Sequence, residues 1–166
     1  MRKIIIGVMG SGNGTREDRS LARELGSAIA SQGWILLTGG RNAGVMEAAS
    51  QGAKQAGGLT VGILPTATDE GMSEAVDIAI FTDLGSARNN INVLSSHAIV
   101  ACGMGAGTAS EVALALKAKK PVILLNCDRT TQSFFENLSE EKVWVAKTVE
   151  EAIDILRNLL SRDSDL

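Results

Sequence analysis

The chain has 166 residues, of which 45% are hydrophobic and 3% aromatic, and its formal net charge is -3 at pH 7. This length fits a single domain over residues 1–166, and no apolar run reaches the roughly 20 residues that span a membrane. A weakly acidic chain without a basic stripe is not expected to bind nucleic acid, and two cysteines without a secreted disulfide pattern favour a cytoplasmic location.

Apolar runs of strand length alternate with amphipathic helical patterns along the whole chain. Strands are predicted at residues 3–9, 34–38, 60–64, 78–82, 98–102, 121–126 and 143–146. Most are continuous apolar runs, which are typical of inner strands in parallel sheets. The pattern predicts an α/β fold, a Rossmann-like three-layer αβα sandwich with a mostly parallel sheet of about seven strands. Residues 66–75 are expected to form a long loop and residues 161–166 a frayed end.

Nine of the 18 glycines lie at three junctions between a predicted strand and the following helix. Glycine lets a ligand approach the backbone, and a helix N-terminus presents unpaired N–H groups and a partial positive charge, so each junction is a candidate anion site. In the usual order of such sheets, strands one and four lie side by side between strands two and five, which brings the junctions together. The junctions contain Gly10, Gly12 and Gly14; Gly39, Gly40 and Gly44; and Gly103, Gly105 and Gly107.

The first junction, Gly10-Ser-Gly-Asn-Gly-Thr15, differs from the known nucleotide fingerprints. Its glycines are not spaced as G-x-G-x-x-G, strand two ends without the acidic residue that holds a ribose, and no Lys-Ser or Lys-Thr follows as in a P-loop. An NAD site is therefore disfavoured. Two interpretations stay open: the turn starts a helix that Thr15 caps through Asp18, or Ser11 and its neighbours contact a phosphate.

Two arginines accompany the glycine junctions. Arg41 directly follows Gly40, and Arg88 lies in the first turn of its helix. A cation at a helix N-terminus is on the unfavourable side of the helix dipole, which suggests that Arg88 faces an anion. Asn89 and Asn92 can supply further hydrogen bonds to it.

Glu111 is the candidate acidic group, and two interpretations of it are compatible. Thr108-Ala-Ser-Glu111 has the spacing of a capping box, which recurs at Thr148–Glu151 without a glycine loop. What distinguishes Glu111 is its loop, since a carboxylate beside an anion site is well placed to position a hydroxyl or a water.

The remaining candidates for chemistry give little support for a metal centre. His97 is the sole histidine, so neither a zinc site nor a Ser-His-Asp triad is expected. Cys102 is predicted to be a buried strand residue, with contact to a ligand or a soft metal centre as the alternative.

Several of these segments together resemble one known group. Gly39-Gly-Arg-Asn-Ala-Gly-Val-Met46, Ala87-Arg-Asn89, Gly103-Met-Gly-Ala-Gly-Thr-Ala-Ser-Glu111 and the following Val112-Ala-Leu-Ala-Leu-Lys117 resemble the Rossmann-related superfamily that contains the LOG phosphoribohydrolases. The match is greatest to the branch of molybdenum cofactor carrier proteins. Gly103 and Met104 replace the Pro-Gly that opens the hydrolase signature, and Asn89 stands where the hydrolases have lysine.

The resemblance implies a protein that binds, protects and delivers molybdenum cofactor, a phosphorylated pterin with a dithiolene-bound metal. It also implies a homo-oligomer, a dimer or tetramer, with molybdoenzymes as recipients and with neither NAD nor pyridoxal phosphate as cofactor. One alternative is a phosphoribohydrolase acting on nucleoside 5'-monophosphates, with Arg88 and Glu111 as its catalytic residues. A further alternative is a module that binds a nucleotide as a sensor, without turnover. Arg16 is a further candidate contact for the cofactor. The predicted binding residues are Gly10, Ser11, Gly12, Gly39, Gly40, Arg41, Arg88, Asn89, Gly103, Gly105, Ala106, Gly107, Thr108 and Glu111.

Overall fold

Strands and helices alternate throughout the computed structural model, which describes residues 3–139 and 143–162. Residues 163–166 of the predicted frayed end therefore lie outside the described residues. The strands are β1 (Ile5–Met9), β2 (Ile35–Thr38), β3 (Thr60–Leu64), β4 (Ile78–Phe81), β5 (Ala98–Cys102), β6 (Val122–Leu125) and β7 (Val143–Ala146). The helices are α1 (Arg16–Ser31), α2 (Gly44–Gln55), α3 (Asn89–Ser95), α4 (Ala106–Lys117), α5 (Arg129–Leu138) and α6 (Val149–Arg162), and a 3₁₀ helix (Gly85–Arg88) precedes α3.

The seven strands form one sheet in the order β4-β3-β2-β1-β5-β6-β7, and every pair is parallel. Two apolar clusters cover its opposite faces. One joins side chains such as Ile6 and Val8 to α1, α2 and α6, and the other joins Met9 and Ile99 to α3, α4 and α5. The predicted Rossmann-like three-layer fold with a parallel sheet of about seven strands is confirmed. No helix in the described ranges is long and apolar enough to cross a membrane.

The predicted position of the fourth strand is wrong. β1 pairs with β5, whereas β4 lies at the edge of the sheet beside β3. The connection of residues 65–77 contains no helix, so no layer covers β4, and an edge position suits it. Besides the β3–β4 backbone pairing, Asp77 joins the start of β4 to its neighbours, because its carboxylate accepts a hydrogen bond from the Thr60 N–H at 3.1 Å and pairs with Lys54 at 2.7 Å.

The three glycine junctions still meet, because β1, β2 and β5 lie side by side and end at one edge of the sheet. The Val45 N–H donates to the Ser11 carbonyl at 3.1 Å, which joins the first two junctions. From the edge strand β4 the chain returns to the centre through the 3₁₀ helix and α3. This return brings Arg88 to the end of β2, where it contacts Gly39.

Candidate functional site

A cavity of about 220 Å³ lies where the three junctions meet. All but two of the predicted binding residues line it, the exceptions being Gly40 and Gly103. Four further lining residues, Val8, Met9, Met46 and Ser86, did not emerge from the sequence as candidates for binding. Of these four, Ser86 could have been identified from the sequence, because it lies in the Gly85-Ser-Ala-Arg88 segment directly before α3. The lining residues are Val8, Met9, Gly10, Ser11, Gly12, Gly39, Arg41, Met46, Ser86, Arg88, Asn89, Gly105, Ala106, Gly107, Thr108 and Glu111.

The first junction forms a tight turn before α1. The Asp18 N–H donates to Thr15 Oγ1 at 3.1 Å, and the Thr15 N–H donates to Asp18 Oδ2 at 2.9 Å. This reciprocal pair confirms the predicted cap. Since Ser11 and Gly12 also line the cavity, the cap leaves them available to a ligand.

Close packing against backbone atoms or side chains explains the glycine at two positions of the second junction. A Cβ on Gly44, whose φ is +52°, would lie 2.1 Å from the Ser11 carbonyl oxygen. A Cβ on Gly39 would lie 2.8 Å from Arg88 Nη2, so this glycine makes room for the guanidinium. Gly40 lies against Leu64 and the Gly62 backbone rather than in the cavity.

Arg88 is buried, with 8% of its surface exposed. Its Nη1 donates to Asn89 Oδ1 at 2.8 Å and its Nη2 to the Gly39 carbonyl at 3.4 Å. Burial lowers the pKa of the guanidinium, an effect that the nearby Glu111 opposes and Arg41 adds to. Arg88 is thus a cation fixed inside the cavity with few compensating partners.

Glu111 is equally buried, at 7% exposure, but it is not part of a capping box. α4 begins at Ala106, and its N-cap Gly105 makes no side-chain cap, so Thr108 and Glu111 lie within the helix and the predicted box is wrong. At Thr148 the same spacing does form a cap, since the Glu151 N–H donates to Thr148 Oγ1 at 3.2 Å. An extended Gly105 lets α4 start earlier than the spacing indicated.

The environment of the Glu111 carboxyl changes its protonation. Asn92 Nδ2 donates to Oε1 at 2.8 Å. Burial raises the pKa of Glu111 to about 7, and the Asn92 hydrogen bond and the Arg88 charge oppose that increase. Near neutral pH the group therefore holds or releases a proton readily.

Three buried polar atoms around this cavity have no hydrogen-bond partner among the described residues. They are Arg88 Nε, Thr108 Oγ1 and Asn92 Oδ1, and the first two belong to lining residues. Leaving a buried polar atom unpaired costs about 1–3 kcal/mol, so such atoms usually have a partner. Arg88 Nε therefore lacks an acceptor among the described residues, and an anion in the cavity is one group that can supply it.

Several other candidates have structural roles outside the cavity. Gly103, with φ +68°, lies so close to Asp18 that a Cβ would be 2.6 Å from Oδ1. Cys102 Sγ contacts the Asp18 carbonyl oxygen at 3.3 Å, and burial raises the pKa of this thiol to about 12. His97 Nδ1 accepts the Ile5 N–H at 3.0 Å. In the parts of the chain that the structure describes, no group of three or more His, Cys, Asp or Glu side chains is arranged to hold a metal ion.

Arg16 does not line the cavity. It lines a neighbouring groove of about 350 Å³ with Arg19 and Arg23. Of the two arginines expected to join Arg88 at the ligand, the cavity therefore contains only Arg41.

Comparison with known proteins identifies close structural relatives. A family model described as the SLOG cluster4 family matches residues 3–153. The molybdenum cofactor binding protein from the phototrophic bacterium Rippkaea orientalis superposes with a TM-score of 0.95 at 59% identity, covering 96% of this chain and 99% of that one. The molybdenum cofactor carrier protein from Chlamydomonas reinhardtii superposes with a TM-score of 0.92 at 54% identity, covering 96% and 99%.

Other similar proteins have lower sequence identity to this chain, and they include an enzyme. An uncharacterized protein of Archaeoglobus fulgidus is 46% identical over 75% of this chain and 82% of its own length. The cytokinin riboside 5'-monophosphate phosphoribohydrolase of Mycobacterium tuberculosis is 36% identical over 55% of this chain, and the similarity spans 50% of that enzyme. DNA processing protein A from Helicobacter pylori shares the fold alone, with a TM-score of 0.68 at 16% identity.

Proposed function

The chain belongs to the SLOG cluster4 family, and we propose that it binds, protects and delivers molybdenum cofactor through the cavity at its three glycine junctions. The observation that carries this proposal is the pair of unpartnered buried groups, Arg88 Nε and Thr108 Oγ1, on two residues that line this cavity. Support also comes from the near full-length similarity to the Rippkaea and Chlamydomonas proteins.

The cavity residues fit the phosphate or metal oxo groups of such a ligand. Gly105, Ala106 and Gly107 line the cavity at the start of α4, and this helix start has no side-chain cap that competes for its N–H groups. The helix N-terminus attracts negative charge, and Arg88 adds a fixed cation that donates charge-assisted hydrogen bonds. Arg41 completes a site with two positive charges.

The size of the cavity suggests which part of the ligand it encloses. Pockets that bury a whole drug-sized ligand measure roughly 300–1,000 Å³. A cavity of about 220 Å³ is smaller, so we expect it to hold the anionic end of the cofactor while the remainder extends toward the rim.

Retention of the cofactor tests this proposal directly. The purified protein is expected to carry molybdenum and an oxidisable pterin and to reconstitute a cofactor-free molybdoenzyme. Arg88→Ala removes a charged hydrogen-bond donor worth about 1.5–3 kcal/mol, which should weaken binding roughly 10- to 100-fold. Arg157→Ala is the matched control, because this arginine is exposed on α6. Unchanged retention in Arg88→Ala would show that the cofactor binds elsewhere.

A specific observation favours a second candidate, a phosphoribohydrolase. Arg88 and Glu111 share the cavity, and the pKa of Glu111 near 7 suits proton transfer during cleavage of an N-glycosidic bond. Incubation with AMP and N6-substituted adenosine monophosphates distinguishes the two functions. The carrier proposal predicts no free base and no ribose 5-phosphate. Catalytic release that Glu111→Ala abolishes would instead establish the hydrolase.

A further inference from the structure

The cavity contains a carboxyl group among elements that attract an anion. Arg41, Arg88 and Glu111 are the charged residues of its described lining, and the remainder is apolar, small or uncharged. A carboxylate beside a phosphate would oppose binding, because like charges interact strongly where water is excluded. Glu111 is therefore unexpected if it remains ionised in the loaded protein.

The structure provides no ion pair that neutralises this carboxyl. Within the described ranges, no salt bridge joins Glu111 to Arg88, whose hydrogen bonds go to Asn89 and to the Gly39 carbonyl. Glu111 Oε1 is held at 2.8 Å by the neutral amide of Asn92, and burial keeps the group from solvent. Among the described residues, Glu111 therefore lacks a direct ion pair that would offset its charge when an anion arrives.

We propose that an anion binds in this cavity together with one proton, which Glu111 takes up. The neutral carboxyl then donates a hydrogen bond to the ligand instead of repelling it. This inference rests on the proposed function and adds its regulation, since loading and release become coupled to the protonation of one residue.

The groups around Glu111 are consistent with this exchange. The hydrogen bond from Asn92 on α3 and the charge of Arg88 from the 3₁₀ helix both favour the ionised form of Glu111. Arg41 from the β2–α2 junction lowers the pKa of Arg88. The β1 junction, residues 8–12, contributes no charged side chain to the lining. Burial outweighs these effects and sets the pKa of Glu111 to about 7, and a bound anion would raise it further.

The affinity for the anion should decrease as the pH rises above 7. Below pH 7 the carboxyl already carries its proton, and binding should change little with pH. Above pH 7 the proton must be taken from solvent, so the affinity should fall by about tenfold for each pH unit. At pH 8 about nine-tenths of a proton should enter with each ligand.

Calorimetric titration with hydroxymethylpterin phosphate, in buffers of different ionisation enthalpy at pH 6, 8 and 9, tests the proposal. Glu111→Gln keeps a hydrogen-bonding side chain but removes the titrating carboxyl. The variant should therefore take up about nine-tenths of a proton fewer per bound ligand than wild type at pH 8. Its affinity for the ligand should exceed that of wild type at pH 9. The ligand's own protonation is the same for both proteins and cancels in the comparison. Glu47→Gln is the control, since Glu47 is a half-buried carboxyl outside the cavity.

The outcomes of this titration separate the two proposals. Equal proton uptake by the wild-type protein and Glu111→Gln, with binding intact in both, would overturn the linkage and leave the proposed function standing. Absence of binding by either protein at every pH would overturn the linkage together with this placement of the anion site. Loss of proton uptake in Glu47→Gln as well would also contradict the assignment to Glu111.

Discussion

Arg88 and Glu111 carry opposite charges in one cavity, yet each has its hydrogen bonds to other groups. Asn89 accepts from Arg88 at 2.8 Å, and Asn92 donates to Glu111 at 2.8 Å. Asn89 is itself fixed by a 2.9 Å hydrogen bond from its Nδ2 to Ser110 Oγ. The two amides of α3 thus bind the charged groups separately, and within the described residues no salt bridge joins Arg88 to Glu111.

Replacing Glu111 with glutamine should stabilise the ligand-free protein at alkaline pH. Folding raises the Glu111 pKa from 4.5 to about 7, so its stabilising proton is present below pH 4.5 and lost as the pH rises through 7. The shift corresponds to at most about 3–4 kcal/mol, and Tm moves by roughly 2–4 °C per kcal/mol in a chain of this size. Thermal unfolding followed by circular dichroism should give Glu111→Gln a Tm several degrees above wild type at pH 8.5, and a smaller difference at pH 5.5. An equal difference at both values would argue against a raised pKa.

At the scale of the elements, the sequence predicted the strands well and their order less well. The described strands begin and end within two residues of the predicted positions, because a buried parallel strand is a continuous apolar run. Ile78–Phe81 has the same apolar pattern but lies at the sheet edge, and nothing in its composition distinguishes the two positions.

The candidate site was predictable where glycine and arginine follow a strand end. It was less predictable where contacts between residues far apart in the sequence determine the role of a residue. The sequence placed Gly40 and Gly103 with the ligand, whereas the structure explains them by contacts with Leu64 and Asp18. The Thr108 capping box failed because the start of α4 depends on the extended backbone of Gly105, which local spacing does not reveal. Such contacts join residues far apart in the chain, and a single sequence contains no direct record of them.

Because α1 and α2 cross closely, adding one methyl group at the crossing should reduce the stability of the protein substantially. A Cβ on Gly52 would lie 1.9 Å from the Arg23 carbonyl oxygen, so Gly52→Ala should separate the helices and destabilise the protein by about 1–3 kcal/mol. Gly107→Ala is the matched control, because a methyl group added to that helical glycine would meet no atom within 4 Å and alanine favours helix by up to about 1 kcal/mol. Urea unfolding midpoints measure both changes. A midpoint for Gly52→Ala at or above wild type would show that the crossing is looser than the structure has it.

For the whole molecule, the sheet is protected on both faces by helices except at β4. β7 at the opposite edge is flanked by α5 and α6, whereas the helix-free connection before β4 leaves its side chains accessible. Ile78, Ile80 and Phe81 are 46%, 44% and 45% exposed. Proteins usually protect an edge strand with charges, a covering element or a partner, and an apolar edge of this kind favours association with another sheet.

We therefore expect a second copy of the chain to cover β4 if the protein forms the homo-oligomer that the resemblance implies. The double variant Ile80→Lys with Phe81→Glu places charges on both sides of the strand, which should prevent this pairing at little cost to the monomer because both side chains are exposed. Light scattering coupled to size exclusion should then show a lower mass for the variant than for wild type. Phe134→Glu, at an apolar residue on α5 that is 59% exposed, should leave the mass unchanged. If Phe134→Glu dissociates the oligomer while the β4 variant does not, the interface lies on the α5 side of the sheet. A monomeric wild-type protein would contradict the expectation that a second copy covers β4.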